Sequence, residues 1–185
     1  MALSAIVVWR HPRPDGAEGR CIGRTDLPVD RRRAKRLAHR IRAYARREGL
    51  PRVIWTSPLE RGAAVGRWLR AFGFVHRVDG DLAELDFGRW DGLPWRAVVP
   101  LEVAMWEAEF LHHAAGGGES LAAMMRRTRR FVEARDGAAL VVGHAGWISA
   151  WRWQCEHPQA VPSAIEWPRS VRYGERVSAS SVLIR

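Results

Sequence analysis

The chain has 185 residues, of which 47% are hydrophobic, and its formal net charge at pH 7 is +10. This length suits a single domain over residues 1–185 with a sizeable core, and no apolar run is long enough for a membrane span. The N-terminus has neither the basic lead-in nor the cleavage site of a signal peptide, so its short apolar run is interpreted as a strand.

The basic residues and the cysteines narrow the class of protein further. Lys35 is the only lysine, and so lopsided a preference for arginine indicates the codon bias of a GC-rich genome rather than a DNA-binding surface. Cys21 and Cys155 lie far apart without metal-ligand spacing, which predicts reduced thiols and a cytoplasmic protein. We therefore expect no metal, no nucleic-acid partner, no membrane partner, and a monomer or homodimer.

The first half of the chain alternates predicted strands and helices. A strand near Ala5–Trp9 precedes a helix that Asp30 caps, and the apolar residues of this helix form one stripe at helical spacing. Gly49 and Pro51 end that helix, and its arginines, within 31–47, are expected to form a solvated face. A second strand follows near Arg52–Trp55.

The second half continues the alternation. Ser57-Pro58-Leu59-Glu60 matches a capping box and predicts a helix start, and a strand near Val75–Val78 follows. A third helix is predicted from Glu119 to Arg135 and ends before Asp136-Gly137. A strand at Ala138–Val142 follows it. A helix after Gly146 and a strand near Val177–Ile184 complete the predicted elements. This order predicts an α/β fold, a three-layer α/β/α sandwich with a mostly parallel central sheet.

Polar residues follow these strands where each strand ends. Arg10 and His11 end the first strand, His144 follows the fourth, and Arg61 lies in the first turn of the second helix. The carboxyl ends of parallel strands meet at one edge, so we expect these side chains to converge there. The amide of Ala145 would open the next helix beside them and offer an anion site.

The residue types at this edge indicate phosphoryl chemistry. Arginine forks bind two phosphate oxygens at once, and a neutral imidazole nitrogen can attack phosphorus. A second histidine can stabilise the developing charge. The alcohol that leaves needs a proton, for which Glu84 is the candidate acid; Asp86 and Asp91 are rivals that spacing alone does not separate.

Six segments in order carry a resemblance to a known family. WRHPRP, GRTDLPV, SPLERGAAV, LAELDFGRWDG, GGGESLAAMMRR and VVGHAGWI resemble the motifs of the histidine phosphatases, the phosphoglycerate mutase-like superfamily. The resemblance implies a metal-independent hydrolase of phosphoric monoesters without a cofactor. It implies that His11 is the nucleophile and Glu84 the proton donor, with a phosphate pocket formed by Arg10, Arg61 and His144.

Within that family, the CIGRTDLPV segment after an Arg-His-Pro start is most similar to the α-ribazole phosphatase branch. This likeness implies α-ribazole 5′-phosphate as substrate, in cobalamin biosynthesis. A broad-specificity phosphatase of sugar or nucleotide monophosphates is the alternative. A non-enzymatic relative that binds phosphate, or a basic nucleic-acid binder, is a hypothesis of another class.

Two prolines depart from the family pattern. Pro12 and Pro14 stand where the family usually has Gly and Thr or Ser, so an amide N–H and a hydroxyl contact to phosphate are lost. Arg13 is a candidate replacement for some of that binding.

Other residues are candidate substrate contacts. Three tryptophans, Trp90, Trp95 and Trp106, follow Glu84 in the sequence. They would either belong to a lid over the substrate or pack in the core. Helix capping explains Glu119 and Ser120 about as well as a ligand contact does. The candidate contacts are Arg13, Gly23, Thr25, Trp90, Glu119 and Ser120.

Overall fold

A computed structural model describes residues 6–135 and 137–178, which form a five-stranded sheet between two layers of helices. The sheet order is β3-β2-β4-β1-β5, in which the first four strands are parallel and β5 is antiparallel to β1. The strands are β1 (Ile6–Arg10), β2 (Val53–Thr56), β3 (Val75–Val78), β4 (Ala139–Gly143) and β5 (Arg176–Ser178).

Five α-helices accompany the sheet within the described residues. They are α1 (Arg31–Arg47), α2 (Glu60–Ala71), α3 (Pro100–Ala108), α4 (Leu121–Glu133) and α5 (Ala145–Glu156). Short 3₁₀ turns lie at Gly80–Leu82, Gly88–Trp90, Trp95–Ala97 and Ala115–Gly117.

The two helical layers follow from the alternation of side chains along the strands. Val7 and Trp9 of β1 pack in one apolar cluster with buried residues of α1 and α2. Ile6 and Val8 face the other side, in a cluster with buried residues of α4 and α5. Successive side chains of a strand point to opposite faces, so both faces of the sheet are covered. The predicted three-layer sandwich with a mostly parallel sheet is confirmed.

Most predicted elements are present with small shifts at their ends. Asp30 caps α1 through a hydrogen bond of 2.8 Å from the Arg33 N–H to its Oδ1. Ser120 caps α4 in the same way, with its Oγ 3.3 Å from the Ala123 nitrogen. The fourth predicted helix, α5, already begins at Ala145. Ala5, Asp136 and residues 179–184 of the predicted elements lie outside the described residues.

The predicted capping box of the second helix is wrong. The helix α2 begins at Glu60 with Leu59 at the N-cap and no side-chain cap there. The Glu60 N–H instead donates to Asp26 Oδ1 at 2.6 Å. Ser57 is fully buried three residues before the helix, and its hydroxyl contacts His144. The local pattern fitted a cap, but a tertiary contact holds this hydroxyl.

The helix α3 was not predicted. It starts with Pro100 in its first turn and buries none of its residues fully, so its apolar pattern is weak. It lies in the long segment between β3 and α4. No helix within residues 6–135 and 137–178 is long and apolar enough to cross a membrane.

Candidate active site

The strands β1 and β4 lie side by side and end at the same edge of the sheet. Arg10 is in register with Gly143, and the His11 N–H donates to the Gly143 carbonyl at 3.0 Å. His11 and His144 directly follow the two strands, and their ring centroids are 4.9 Å apart. The parallel register therefore brings together two histidines that are distant in the sequence.

The ring of His11 has a defined tautomer. Its Nδ1 lies 2.7 Å from the carbonyl oxygen of Pro12, and a carbonyl only accepts, so Nδ1 carries the proton and Nε2 keeps its lone pair. Burial, followed by the charge of Arg61, lowers the pKa of His11 well below 6.5, although the bond to Pro12 opposes the shift. At neutral pH, Nε2 is an unprotonated nitrogen.

The guanidinium of Arg10 is held by the segment that precedes β5. Its Nη1 donates to the Val171 carbonyl at 2.6 Å, and its Cζ lies 3.9 Å from the ring centroid of Tyr173. The same Tyr173 ring is 5.6 Å from the ring of His11. A cation–π contact of this kind fixes the fork while leaving its charge intact.

Arg61 is the second cation of the site and is only 1% exposed. Its Nη1 donates to the Thr25 carbonyl at 2.9 Å and its Nη2 to the Gly23 carbonyl at 2.6 Å. Burial lowers the pKa of its guanidinium, and the carboxylate of Glu84 is the largest influence in the opposite direction. Arg61 is thus a buried cation held by backbone carbonyls.

His144 is fully buried at the N-cap of α5. Its Nε2 lies 2.7 Å from the Ser57 hydroxyl, and its Nδ1 has no hydrogen-bond partner among the described residues. Burial, followed by the charge of Arg61, lowers the pKa of His144 well below 6.5. A buried ring nitrogen without a partner is costly unless a ligand supplies one.

The carboxylate of Glu84 lies at the start of α5. Its Oε1 accepts from the Leu85 N–H and its Oε2 from the Gly146 N–H, both at 3.0 Å. A Cβ at position 146 would lie 2.5 Å from Oε1, so the glycine allows the carboxylate to approach this closely. The partial positive charge of the helix N-terminus also favours a carboxylate here.

The rival acids have other contacts. Asp86 accepts a hydrogen bond of 2.8 Å from the Gly88 N–H. Asp91 accepts from the backbone of the 23–25 loop. Neither residue lines the cavity that borders Arg10 and His11, whereas Glu84 does. Of these three carboxyl groups, Glu84 is the one placed beside the histidines.

Arg10, His11 and Arg61 line a cavity of about 400 Å³, whereas His144 lies beside the ring of His11 and does not line it. One part of its wall is polar and contains Arg10, His11, Arg61, Glu84 and Ala145. Another part is aromatic and contains Phe87, Trp95, Trp106, Phe110 and Trp167. Arg20 and Glu107 are further charged residues in the wall. The cavity thus joins a cationic site to an aromatic surface.

Three of the other candidate contacts belong to loops outside the wall. Arg13 is exposed and pairs with Glu18 at 2.6 Å. Gly23 and Thr25 do not line the cavity and contact Arg61 through their carbonyls instead. Their carbonyls therefore orient Arg61, a candidate phosphate-binding residue.

The remaining three candidates also lie outside the cavity wall. Trp90 is 2% exposed, and its indole N–H donates to Glu102 at 2.7 Å. Glu119 forms an ion pair of 2.7 Å with Arg127, and Ser120 caps α4. The structure therefore gives core packing to Trp90, an ion pair to Glu119 and a helix cap to Ser120.

The unusual prolines have defined positions. Pro12 is buried, and its carbonyl holds the His11 ring. Pro14 is buried and lines the cavity, so an apolar ring stands where the family usually has a hydroxyl.

Sequence reasoning missed Arg127, which fixes the backbone that carries Glu84. It donates to the carbonyls of Asp81, Ala83 and Glu84 at 2.8, 2.6 and 3.1 Å, and to the Glu119 carboxylate. Its neighbours in the chain include several other arginines, so nothing in the local sequence distinguishes Arg127 from them. Ser57 and Tyr173 were missed because their partners are distant in the sequence.

A metal centre would need a cluster of suitable side chains. Within the part of the chain that the structure describes, no group of three or more His, Cys, Asp or Glu side chains is placed to hold a metal ion.

The chain is similar to solved structures of other proteins. It is 26% identical to TTHB049 from Thermus thermophilus, with a TM-score of 0.71, over 94% of this chain and 92% of that one. It is 25% identical to the mycobacterial glucosyl-3-phosphoglycerate phosphatase Rv2419c in complex with VO3, with a TM-score of 0.76, over 95% and 92% of the two chains. No curated protein sequence matches the chain.

A sequence model of a protein family matches most of the chain and assigns it to that family. The model of the histidine phosphatase superfamily (branch 1) matches residues 6–166, which include all the strand-end residues described above. With these similarities and the α/β fold, the chain belongs to branch 1 of the histidine phosphatase superfamily.

Proposed function

We propose that the protein is a phosphomonoesterase that acts through a phosphohistidine on His11. The observation that carries this proposal is the unprotonated Nε2 of His11, whose ring lies beside His144 and lines the same cavity as Arg10 and Arg61. Family membership and the phosphatase named among the similar structures support phosphatase activity.

The first step transfers the phosphoryl group to the protein. The lone pair of His11 Nε2 forms a bond to phosphorus, and the bond between phosphorus and the ester oxygen breaks. Glu84, which lines the same cavity, takes a proton from the monoanionic phosphate ester and gives it to the leaving oxygen. This proton allows a poor leaving group to depart as an alcohol.

The second step returns the protein to its starting state. A water attacks phosphorus and gives a proton to the Glu84 carboxylate, and the bond between phosphorus and Nε2 breaks to release inorganic phosphate. Glu84 passes this proton to the departing phosphate, so His11 and the Glu84 carboxylate both end as they began and no further reactant is needed.

The cations of the site neutralise the negative charge of the phosphoryl group. Arg10 and Arg61 keep their charge throughout, and their forks suit phosphoryl oxygens. The Nδ1 of His144, which has no partner among the described residues, can donate to another oxygen when Ser57 donates to Nε2. Such fixed donors stabilise charge that grows in the transition state.

The aromatic wall favours a substrate with a bulky aromatic base, as in α-ribazole 5′-phosphate, and hence a role in cobalamin biosynthesis. Trp95 is 41% exposed in this wall, and Phe87 packs edge-on against it with ring centroids 6.0 Å apart. A stacked base can use such a surface. Arg20 and Glu107 favour a second candidate, a sugar phosphate, because their polar groups can bind hydroxyls.

Hydrolysis assays test this proposal. We expect turnover of p-nitrophenyl phosphate in the presence of a chelator, and a higher kcat/KM for α-ribazole 5′-phosphate than for 3-phosphoglycerate or sugar phosphates. A sugar phosphate as the better substrate would contradict the aromatic assignment. Absence of turnover with every monoester, together with binding of phosphate, would instead indicate a non-enzymatic relative.

A further inference from the structure

We infer that Asp91 is a positioning residue for Arg61, and that it acts through the peptide group between Gly23 and Arg24. This inference rests on the proposed phosphomonoesterase function, because it concerns how the phosphate-binding arginine is held. Asp91 does not line the cavity, so its role is indirect.

The carboxylate of Asp91 accepts hydrogen bonds from several donors of the loop at residues 23–25. Its Oδ1 accepts from the Gly23 N–H at 3.0 Å and from the Thr25 hydroxyl at 2.7 Å. The N–H groups of Arg24 and Thr25 also donate to it. One carboxylate therefore holds three consecutive backbone amides and one hydroxyl.

The carbonyls of the same loop hold the guanidinium of Arg61. The Gly23 carbonyl accepts from Nη2 at 2.6 Å, and the Thr25 carbonyl accepts from Nη1 at 2.9 Å. The two bonds fix the plane of the fork. They leave the other N–H donors of Arg61 for a phosphoryl group.

One peptide group connects the two charges. The Gly23 carbonyl and the Arg24 N–H belong to the same planar trans peptide, so they point in opposite directions. The N–H donates to Asp91 while the carbonyl accepts from Arg61. Hydrogen bonds in such a chain polarise one another, so the negative charge of Asp91 strengthens the hold on the buried cation.

The loop is pressed closely against the segment that carries Asp91. A Cβ at position 23 would lie 2.1 Å from the Leu85 carbonyl oxygen, which explains the glycine. The backbone of Cys21 is paired separately, with its N–H 2.8 Å from the Leu93 oxygen and its carbonyl 2.7 Å from the Gly92 nitrogen. These bonds do not involve the carboxylate, so the two segments stay docked when its charge is removed.

The test compares phosphate and vanadate inhibition of p-nitrophenyl phosphate hydrolysis in full-length variants. We expect Asp91→Asn to raise both inhibition constants about tenfold, since it weakens a charge-assisted contact. Asp86→Asn is the matched control, because Asp86 accepts from Gly88 outside the loop. Unchanged inhibition constants in Asp91→Asn would overturn the inference.

A double-mutant cycle separates this role from a merely structural one. In an Arg61→Met background, Asp91→Asn should have little further effect on phosphate binding, measured by calorimetry. A full additional loss in that background would show that Asp91 acts without Arg61 and would overturn the inference. If Asp91→Asn does not fold, Thr25→Val should weaken phosphate binding and Thr25→Ser should restore it; equal binding in both would also overturn it.

Measurements on the wild type distinguish a failure of the proposed function from a failure of the inference about Asp91. A wild type that neither hydrolyses p-nitrophenyl phosphate nor binds phosphate contradicts the proposed function itself. A wild type that does both, with Asp91→Asn unchanged, contradicts the role of Asp91 alone.

Discussion

The hydroxyl of Ser57 and the Nε2 of His144 lie 2.7 Å apart, and both side chains are fully buried. When the hydroxyl donates to Nε2, the proton of the neutral ring is on Nδ1, the atom without a partner among the described residues. In the proposed mechanism, Ser57 selects this tautomer, whose Nδ1 donates to a phosphoryl oxygen.

Ser57→Ala should lower kcat about tenfold, because loss of the tautomer costs on the order of 1.4 kcal/mol in the transition state. Steady-state kinetics with p-nitrophenyl phosphate measure the effect. Ser149→Ala is the matched control, since Ser149 is another buried serine, with its hydroxyl 3.4 Å from the Pro168 carbonyl. Equal losses in the two variants would assign Ser57 a packing role only.

The strand-end part of the site could be predicted from sequence because it depends on local pattern and on one rule of sheets. Apolar runs that end in Arg10-His11 and His144 define strand ends, and parallel strands bring such ends together. Spacing alone could not separate Glu84 from Asp91, since both lie in one irregular segment. The family resemblance implied Glu84, and the tertiary fold shows that Glu84 lines the cavity whereas Asp91 does not.

Other features depend on partners that are remote in sequence. Trp90 follows Glu84 in a segment rich in aromatic residues, and nothing local shows that the ring is buried and that its N–H donates to Glu102. Ser57 matched a cap locally, while its partner His144 lies 87 residues away. A pattern that is complete within four residues therefore gave the wrong contact.

Glu84→Gln should slow hydrolysis of alkyl phosphates much more than that of p-nitrophenyl phosphate. A general acid matters most when the leaving group is poor, and nitrophenolate leaves without a proton. The ratio of kcat/KM values for the two substrate types, wild type against variant, measures this difference. Asp86→Asn should leave the ratio unchanged. Equal slowing of both substrates by Glu84→Gln would remove Glu84 from the role of proton donor.

The free energy of unfolding should fall as the pH drops below about 6.5. Burial lowers the pKa of His11 and His144 in the folded protein, so below 6.5 the unfolded chain binds protons that the folded protein does not. Each histidine then contributes a slope of up to about 1.4 kcal/mol per pH unit, until the pH reaches its folded pKa.

Urea unfolding of the wild type and of His11→Asn between about pH 7 and pH 5 measures this slope. The variant should show a shallower loss of stability toward acid. His39→Asn is the control, because His39 is exposed. An identical pH dependence in the wild type and His11→Asn would mean that His11 titrates normally in the folded state.

Trp95→Leu should reduce kcat/KM for an aromatic monoester such as α-ribazole 5′-phosphate by roughly five- to a hundredfold, the loss of one stacking contact. Turnover of a small alkyl phosphate should change little. Trp68→Leu is the matched control, because Trp68 packs against Phe72 outside the cavity wall. An equal fractional loss of kcat/KM on both substrates would show that Trp95 stabilises the fold rather than stacks on the base.

The proposed mechanism requires a covalent intermediate on His11, which rapid mixing with labelled substrate followed by quenching can trap. We expect a phosphoryl group that is labile in acid and stable in base, that maps to His11, and that is absent from His11→Ala. A label on a serine or aspartate, or turnover that persists in His11→Ala, would contradict this mechanism.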